Sequence, residues 1–448
     1  MADDVALPED TATQAPAEDQ AAGFRELLGN GEFRLIWASQ IFSQLADKFL
    51  VYSLLTVTYD RSGANTQEAV VLLAYTFPSV LLSPIAGIYA DRFDKRHLMM
   101  VTNLVRGVLI LLVPASALVP YFQGVTWHLL LVTLLFSAVG QFFAPAEASA
   151  MPFIVPRRVL ITATSVFTLT IVATLVVGLP ISSVLIRLLG ASSPYFVAAA
   201  LFGLAAGANY LMRTRLSARP EASEEHIGIN RFQRIWDEVM ETINFLRAHR
   251  DLLNAFAQLG VAVALIFTIF TLAQGYMKTV LNLDPRDSYQ ILVPAALGMG
   301  AMAVYLGRGH IQARDRLIAA GLFAIGVLLM LMGVGPYLLV GLGIRGILIG
   351  FAMVVGAFFG AAFGAVFIPA VTLLQESTEP EQRGRTFGAM FTVLNLAIAV
   401  PLFLAGLAAD TFGLHFVVVA MGGIVIFVAL VPVLLRSRRM RRSGSVQS

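Results

Sequence analysis

Twelve apolar stretches, arranged as six, a polar break and six more, constrain this chain more than any other feature. They run at roughly 35–58, 68–89, 98–119, 126–150, 160–186 and 194–212, and then at roughly 253–276, 288–306, 317–340, 347–371, 386–408 and 415–435. A helix needs about 20 mostly apolar residues to cross a hydrocarbon layer about 30 Å thick. Only 13% of the residues are charged, whereas soluble domains have about 25%. The sequence therefore predicts an all-α membrane protein with twelve transmembrane helices.

The turn between the ninth and tenth stretches has two candidate positions. Residues 333–336 contain two glycines and a proline, and residues 341–346 contain three glycines. Both compositions are typical of turns. The pattern does not choose between them.

Lys and Arg are distributed unevenly between the two sets of loops. If the N-terminus is cytoplasmic, the tails and the loops on its side hold a large excess of Lys and Arg, while the other side holds Arg61, Arg187, Lys278 and Arg286, with Arg345 a fifth if it precedes the tenth helix. Short cytoplasmic loops are enriched in Lys and Arg. We therefore predict cytoplasmic N- and C-termini in a bacterial inner (plasma) membrane. Because this membrane topology accounts for the positive charge, we expect no nucleic-acid partner.

The polar segments divide the chain into five regions. Residues 1–24 form an acidic tail that we expect to be disordered, 25–212 a first bundle, 213–252 a cytoplasmic linker, 253–435 a second bundle and 436–448 a basic tail. Within the linker, residues 230–250 place apolar side chains on one helical face. This segment is predicted to be an amphipathic helix, lying either on the inner leaflet or against the ends of the bundle.

One pattern occurs twice, half a chain length apart. Gly-x-x-Phe-x-Pro-Ala is found at Gly140–Ala146, near the end of the fourth stretch, and at Gly364–Ala370, near the end of the tenth. Its position in both sets of six indicates a duplication. The sequence thus predicts two pseudo-symmetric six-helix bundles, an architecture typical of secondary transporters that bind substrate between the halves.

The second loop carries a more specific pattern, G-x-x-x-D-R-x-x-[RK]-[RK]. Its positions are occupied by Gly87, Asp91, Arg92, Lys95 and Arg96. In this loop, and in its organisation as six plus six helices, the chain resembles the major facilitator superfamily. The resemblance implies that these residues gate the cytoplasmic side, with Arg383 and Arg385 as the gate of the second half.

Physical chemistry suggests a role for each gate residue. We expect Gly87 to let two helices approach closely. Asp91 would accept hydrogen bonds from a neighbouring helix N-terminus, and Arg92 and Arg96 would find carboxylates on adjacent helix ends. The alternative is that Lys95 and the arginines only anchor the loop on the cytoplasmic side.

The first stretch is similar to that of two subfamilies. Its pattern Gln40-x-x-Ser43-x-x-x-Asp47, together with Arg106 in the third stretch, resembles macrolide-efflux exporters and lysophospholipid transporters. The helix-5 motif of antiporters survives only as Gly178-Leu-Pro180, and the fourth stretch has Gln141 instead of a mid-helix arginine. Export and proton coupling are therefore expectations from resemblance.

Asp47 and Lys48 are charged residues in the middle of the first helix. A charge at this depth costs at least about 2–3 kcal/mol, so each must meet water or a partner. Gln40, Gln44 and Asp47 follow i, i+4, i+7 spacing and are predicted to form one cavity-lining face. Lys48 lies about 100° round the helix from Asp47.

Two roles remain open for the charged residues. Asp47 is predicted to bind a coupling proton or cation, or else to form a structural ion pair with Arg106 or Lys48. Arg106 could bind an anionic headgroup, or pair with Asp47 or Glu147. Glu147 is expected to cap the end of the fourth helix.

These features favour a secondary transporter over an enzyme. The chain has no cysteine, its six histidines show no metal-ligand spacing, and it lacks a P-loop. We expect a monomer with no cofactor and no metal site, which exchanges an amphipathic or lipid substrate for protons across the bilayer. Proton-coupled export of an amphipathic small molecule is the leading prediction. The alternatives are a lysophospholipid flippase and a sensor that does not transport.

Overall fold

A computed structural model of the chain describes residues 23–214, 216, 240, 250–308, 314–340, 345–376 and 383–444. In these ranges the predicted all-α fold is confirmed, with a helix at each of the twelve predicted positions. They are α1 (Gly31–Ser62), α2 (Asn65–Arg92), α3 (Lys95–Ser116), α4 (Trp127–Ile154), α5 (Leu160–Leu189), α6 (Ser193–Leu211), α7 (Arg250–Gly275), α8 (Tyr289–Gly307), α9 (Arg314–Val340), α10 (Arg345–Glu376), α11 (Arg383–Phe412) and α12 (Leu414–Gly444). The predicted amphipathic linker helix lies almost entirely outside the described residues.

Large apolar side chains cover the outside of the bundle. Leu188, Leu297, Leu338 and Phe427 are each more than two-thirds exposed. In the described part of the chain, eight helices are long and apolar enough to cross a membrane. An apolar surface of this extent is stable only against lipid.

The turn between α9 and α10 does not fall at residues 333–336. That candidate is wrong, because α9 continues to Val340 and α10 begins at Arg345. Gly333 serves packing instead, since a Cβ there would collide with Val419 of α12. The residues between the two helices, 341–344, lie outside the described ranges.

The repeated Gly-x-x-Phe-x-Pro-Ala pattern has a different backbone in each half. Helix α4 is interrupted between Gly140 and Phe143, whereas α10 continues without a break through Pro369. Proline lacks an N–H and crowds the carbonyl four residues before it. In α4 this places the effect of Pro145 at Gln141, where the interruption occurs.

Each half packs mainly within itself, and several helix pairs join the halves. In the first half α1 packs against α5 and α6, and in the second half α8 packs against α10 and α9 against α12. Contacts between the halves are made mainly by α2 with α11 and by α5 with α8, and also by α7 with α2 and with α1. We call the end of the bundle with the α1–α2, α7–α8 and α11–α12 connections the distal end, and the opposite end the proximal end.

Candidate transport site

A buried ion pair lies in the middle of the first half. Asp47 of α1 accepts a short hydrogen bond from a terminal guanidinium nitrogen of Arg106 of α3. The Arg106 side chain is 5% exposed and that of Asp47 is 12% exposed. Of the partners left open for Arg106, the structure therefore selects Asp47.

Aromatic rings complete the surroundings of Arg106. Its guanidinium carbon lies 4.4 Å from the ring centroid of Phe136 on α4 and 4.6 Å from that of Phe202 on α6. The π-faces attract a cation, and the attraction strengthens when water is excluded. One anion and two rings thus hold a positive charge inside the bundle.

The first copy of the repeated pattern provides space for this cation. A Cβ on Gly140 would lie 3.3 Å from the guanidinium carbon of Arg106. Any larger residue would therefore press directly on the charged group. This contact explains the glycine at position 140.

Lys48 occupies a different environment from Asp47, as the helical spacing predicted. Its ammonium lies 3.5 Å from the side-chain oxygen of Gln44, one turn earlier on α1. Its stem packs against α5, where a Cβ on Gly178 would lie 2.8 Å from the Cβ of Lys48. Gly178 of the incomplete helix-5 motif is therefore the crossing point of α1 and α5.

The polar residues of α1 do not form one open face. Gln40 and Ser43 are each 1% exposed, and Gln40 donates a 3.3 Å hydrogen bond to the carbonyl of Phe167 on α5. In this conformation α5 covers Gln40, and its role in lining the cavity stays a prediction. Gln44 and Lys48 remain half-buried.

Two predicted residues of α4 behave differently from each other. Gln141 donates to the backbone and hydroxyl oxygens of Ser137 at 3.2 and 3.4 Å, so this amide turns toward its own helix. Glu147 does not cap α4, because the helix continues to Ile154 and the Glu147 side chain is buried inside it. The sequence pattern placed the helix end too early.

The contacts described for the gate residues Arg96 and Lys95 lie within the first half. Arg96 donates to the carbonyl of Tyr210 and lies 5.6 Å from its ring, instead of meeting the expected carboxylate. Tyr210 is in the last turn of α6, where carbonyls lack helical partners and attract cations. The Lys95 ammonium is buried 5.5 Å from the Phe153 ring.

The structure shows little of the remaining gate residues. Arg92 is exposed in the last turn of α2. No described atom lies within 4 Å of where a Cβ of residue 87 would be, so the close approach expected at Gly87 is absent from the described part of this conformation. The side chains of Asp91, Arg383 and Arg385 lie outside the described parts, and their gating role stays a prediction.

Comparison with known proteins decides the family. The sequence profile of the Major Facilitator Superfamily matches residues 36–355, more than half of the chain. The chain belongs to the major facilitator superfamily. It is therefore an integral membrane protein, and its family points to a transporter and away from an enzyme.

Two of the relatives with similar sequences are efflux proteins. Macrolide efflux protein A of Streptococcus pyogenes is 23% identical over 425 residues, which cover 91% of this chain and 97% of that protein. Multidrug efflux pump Tap of Mycolicibacterium fortuitum is 23% identical over 385 residues, which cover 84% and 88%. A bacterial homolog of the human lysosomal transporter Spinster, solved in an inward-facing and unoccupied conformation, has the same fold with a TM-score of 0.66. Its sequence is 12% identical, and the match covers 91% of this chain and 97% of that one.

Sequence reasoning missed the aromatic part of the site in this superfamily member. Phe136 and Phe202 sit in apolar stretches among 31 phenylalanines, most of which could equally face lipid. No spacing marks the two that face Arg106. Gly140 offers a usable signal, since a glycine inside a membrane helix often marks a close contact.

Proposed function

We propose that this protein is a secondary transporter that exports an amphipathic small molecule by alternating access in exchange for protons. The observation that carries the proposal is the buried Asp47–Arg106 pair near the middle of the first half. Ionisable groups at this depth are costly and are typical of proton relays and substrate pathways. The efflux relatives support export rather than uptake.

The pair can couple a proton to the charge that a substrate meets. A proton on the Asp47 carboxylate would leave Arg106 held only by the rings of Phe136 and Phe202. A substrate cation near Asp47 would compete with both Arg106 and the proton for the same carboxylate. Binding of the substrate and of the proton would then be mutually exclusive, as exchange requires.

A second feature supports an amphipathic substrate. A cavity of about 100 Å³ opens between α1 and the second half, with almost entirely apolar walls. It is lined among others by Tyr52, Phe270, Tyr276, Leu329, Met332 and Met421. The apolar part of a substrate would fit such walls, while a charged part would need the pair in the first half.

The lysophospholipid alternative is weaker on this geometry. It requires Arg106 and Lys48 to bind a phosphate, but Arg106 is already neutralised by Asp47. Lys48 alone remains with only an amide partner. We therefore include a lysophospholipid among the substrates to be tested.

Transport by purified protein in liposomes tests the proposal. A proton gradient would be imposed, an internal dye would report pH, and a macrolide, a lipophilic cation and a lysophospholipid would be added in turn. We expect a macrolide or cation to dissipate the gradient with wild type but not with Asp47→Asn. The exposed Glu26, which pairs with Arg158 on the surface, supplies the control Glu26→Gln, which should transport like wild type.

The two arms separate the alternatives. Lysophospholipid movement without proton flux, retained in Asp47→Asn, would establish the flippase and refute the role of Asp47. We further propose that the protein acts as a monomer in the bacterial plasma membrane, with both termini in the cytoplasm.

A further inference from the structure

The N-terminus of α2 is capped by the other half of the protein. Asp410 of α11 accepts hydrogen bonds from the backbone N–H of Asn65 at 2.9 Å and of Thr66 at 2.8 Å. It also accepts from the side chains of both residues, at 2.8 and 2.5 Å. The first N–H groups of a helix lack internal partners and attract anions. The residue at the N-cap position, Ala64, has no side-chain group to serve them.

Small residues bring the two halves into close contact beside this cap. A Cβ on Gly406 of α11 would lie 3.0 Å from the Cβ of Ala69 on α2. A Cβ on Gly275 of α7 would collide with the side-chain oxygen of Asn65. The end of α2 is therefore packed closely against α7 and α11.

Glu68 lies in the first turn of α2, inside this contact. It is 0% exposed, and among the described residues neither of its carboxyl oxygens has a hydrogen-bond partner. The unpaired side-chain oxygen of Asn65, also buried, lies three residues earlier on the same helix face. Both residues lack a donor, and a protonated carboxyl is a donor.

The charges that face Glu68 are negative. Asp410 of α11 and Asp60 of α1 are the acidic residues that interact with it, and the phenol of Tyr59 lies near Glu68 and Asp410. The cations described at this end have other partners. Arg286 lies 3.9 Å from Asp60, Lys278 lies 5.7 Å from the Tyr59 ring, Arg61 donates to the carbonyl of Phe122, and Arg187 pairs with Asp287. A buried carboxylate without hydrogen bonds is unfavourable, and neighbouring carboxylates add repulsion.

We propose that Glu68 is a proton-binding site, and that the distal end closes only when a proton occupies it. Opening the contact between α2 and α11 would bring water to Glu68, where a carboxylate is the ordinary form at neutral pH. Closing it removes that water, so the neutral acid is the form that fits. Acid at the distal side therefore favours the closed end, and alkali favours the open end.

This site is separate from the Asp47–Arg106 pair. Asp47 has a cation as partner, whereas Glu68 has none among the described residues. Asp410 is exposed and accepts four hydrogen bonds, which favour its ionised form. Glu68 is thus the group at this contact that must change its protonation. The inference rests on the proposed alternating access, but it needs no particular substrate.

A distance measurement across the distal end tests the site. The chain has no cysteine, so Gln123→Cys and Thr411→Cys, at exposed positions in different halves, can carry two spin labels. Double electron–electron resonance on the full chain in lipid nanodiscs would be recorded from about pH 5 to about pH 8. We expect the short-distance population to grow on acidification in the otherwise wild-type protein. Glu68→Gln, which mimics the protonated acid, should stay closed at every pH.

Asp410→Asn separates capping from proton binding. It weakens the cap without removing Glu68, so the closed population should fall at all pH values while the pH response remains. A pH response in Glu68→Gln equal to that of wild type would overturn the proposal. A wild-type distance that does not change with pH would overturn it too, without depending on any Glu68 variant. Since no substrate is added, a failure of the proposed transport would leave this result unaffected.

Discussion

Arg106 can remain inside the bundle because Asp47 balances its charge. Breaking a buried pair by removing one partner typically costs about 3–5 kcal/mol, whereas apolar replacement of both is often neutral. We therefore expect Asp47→Asn to lower the free energy of unfolding by about 3 kcal/mol. Adding Arg106→Met should restore most of this loss, since Met can pack between Phe136 and Phe202 without a charge. Denaturant unfolding in micelles would measure both variants.

Glu26→Gln is the matched control for this pair of variants, because exposed ion pairs contribute about 0–1 kcal/mol. If the double variant were no more stable than Asp47→Asn alone, the unpaired charge of Arg106 would not be the cause. A transport assay of the double variant provides a second measurement. A stable double variant that no longer moves protons would assign the pair to coupling rather than to structure.

Site residues could be predicted from the sequence where a charge inside the membrane is energetically costly, and rarely at other positions. Asp47 and Arg106 stood out because charges are rare inside apolar stretches, although several pairings stayed open. Glu68 was overlooked because it sits at the edge of a stretch, where a carboxylate needs no explanation. Asp410 offered a signal that was not used: an acid in the last turn of a helix opposes the dipole of that helix, which indicates a partner elsewhere.

Helices α8 and α10 approach each other through glycine. A Cβ on Gly360 would fall on the carbonyl oxygen of Ala295, and a Cβ on Gly298 on that of Ala357. Backbone atoms cannot rotate away, so Gly360→Ala must push the two helices apart. We expect a loss of about 1–3 kcal/mol, visible as a lower Tm in detergent.

The same helix provides the control for this substitution. Nothing lies within 4 Å of a Cβ at Gly350, so Gly350→Ala should leave the Tm unchanged or raise it, since alanine favours a helix by about 0.5–1 kcal/mol. Equal losses at both positions would show that backbone propensity, and not helix contact, sets the effect.

At the scale of elements, the number and order of helices followed from apolar length alone, because the bilayer fixes that length. The function of each glycine did not. Gly333 was predicted only as a candidate turn residue, whereas the structure packs it against α12. The break in α4 at Gln141 could not be predicted from the repeated pattern, because α10 carries the same pattern without a break.

At the scale of the whole molecule, the Lys and Arg distribution predicts that the proximal end faces the cytoplasm. A green fluorescent protein fused after Ser448 should therefore fluoresce, because it folds in the cytoplasm, while alkaline phosphatase at the same position should be inactive. A second phosphatase fusion, inserted at Gly124 in the α3–α4 connection, should be active. The reverse pattern at the two positions would contradict the predicted orientation.

The distal contact between α2 and α11 must also open if the halves rock against each other. A Cβ on Gly406 would be 3.0 Å from that of Ala69. A disulfide between these positions would therefore form once the two helices separate by about 0.5 Å, since disulfides need about 3.5–4.5 Å between Cβ atoms. Oxidation of Ala69→Cys with Gly406→Cys should arrest transport in liposomes, and a reductant should restore it. Met302→Cys with Gly364→Cys joins α8 and α10 within one half, where the corresponding distance is 3.2 Å. If each half moves as a body, this second cross-link should leave transport intact. Arrest by both cross-links would mean that motion inside a half is also required.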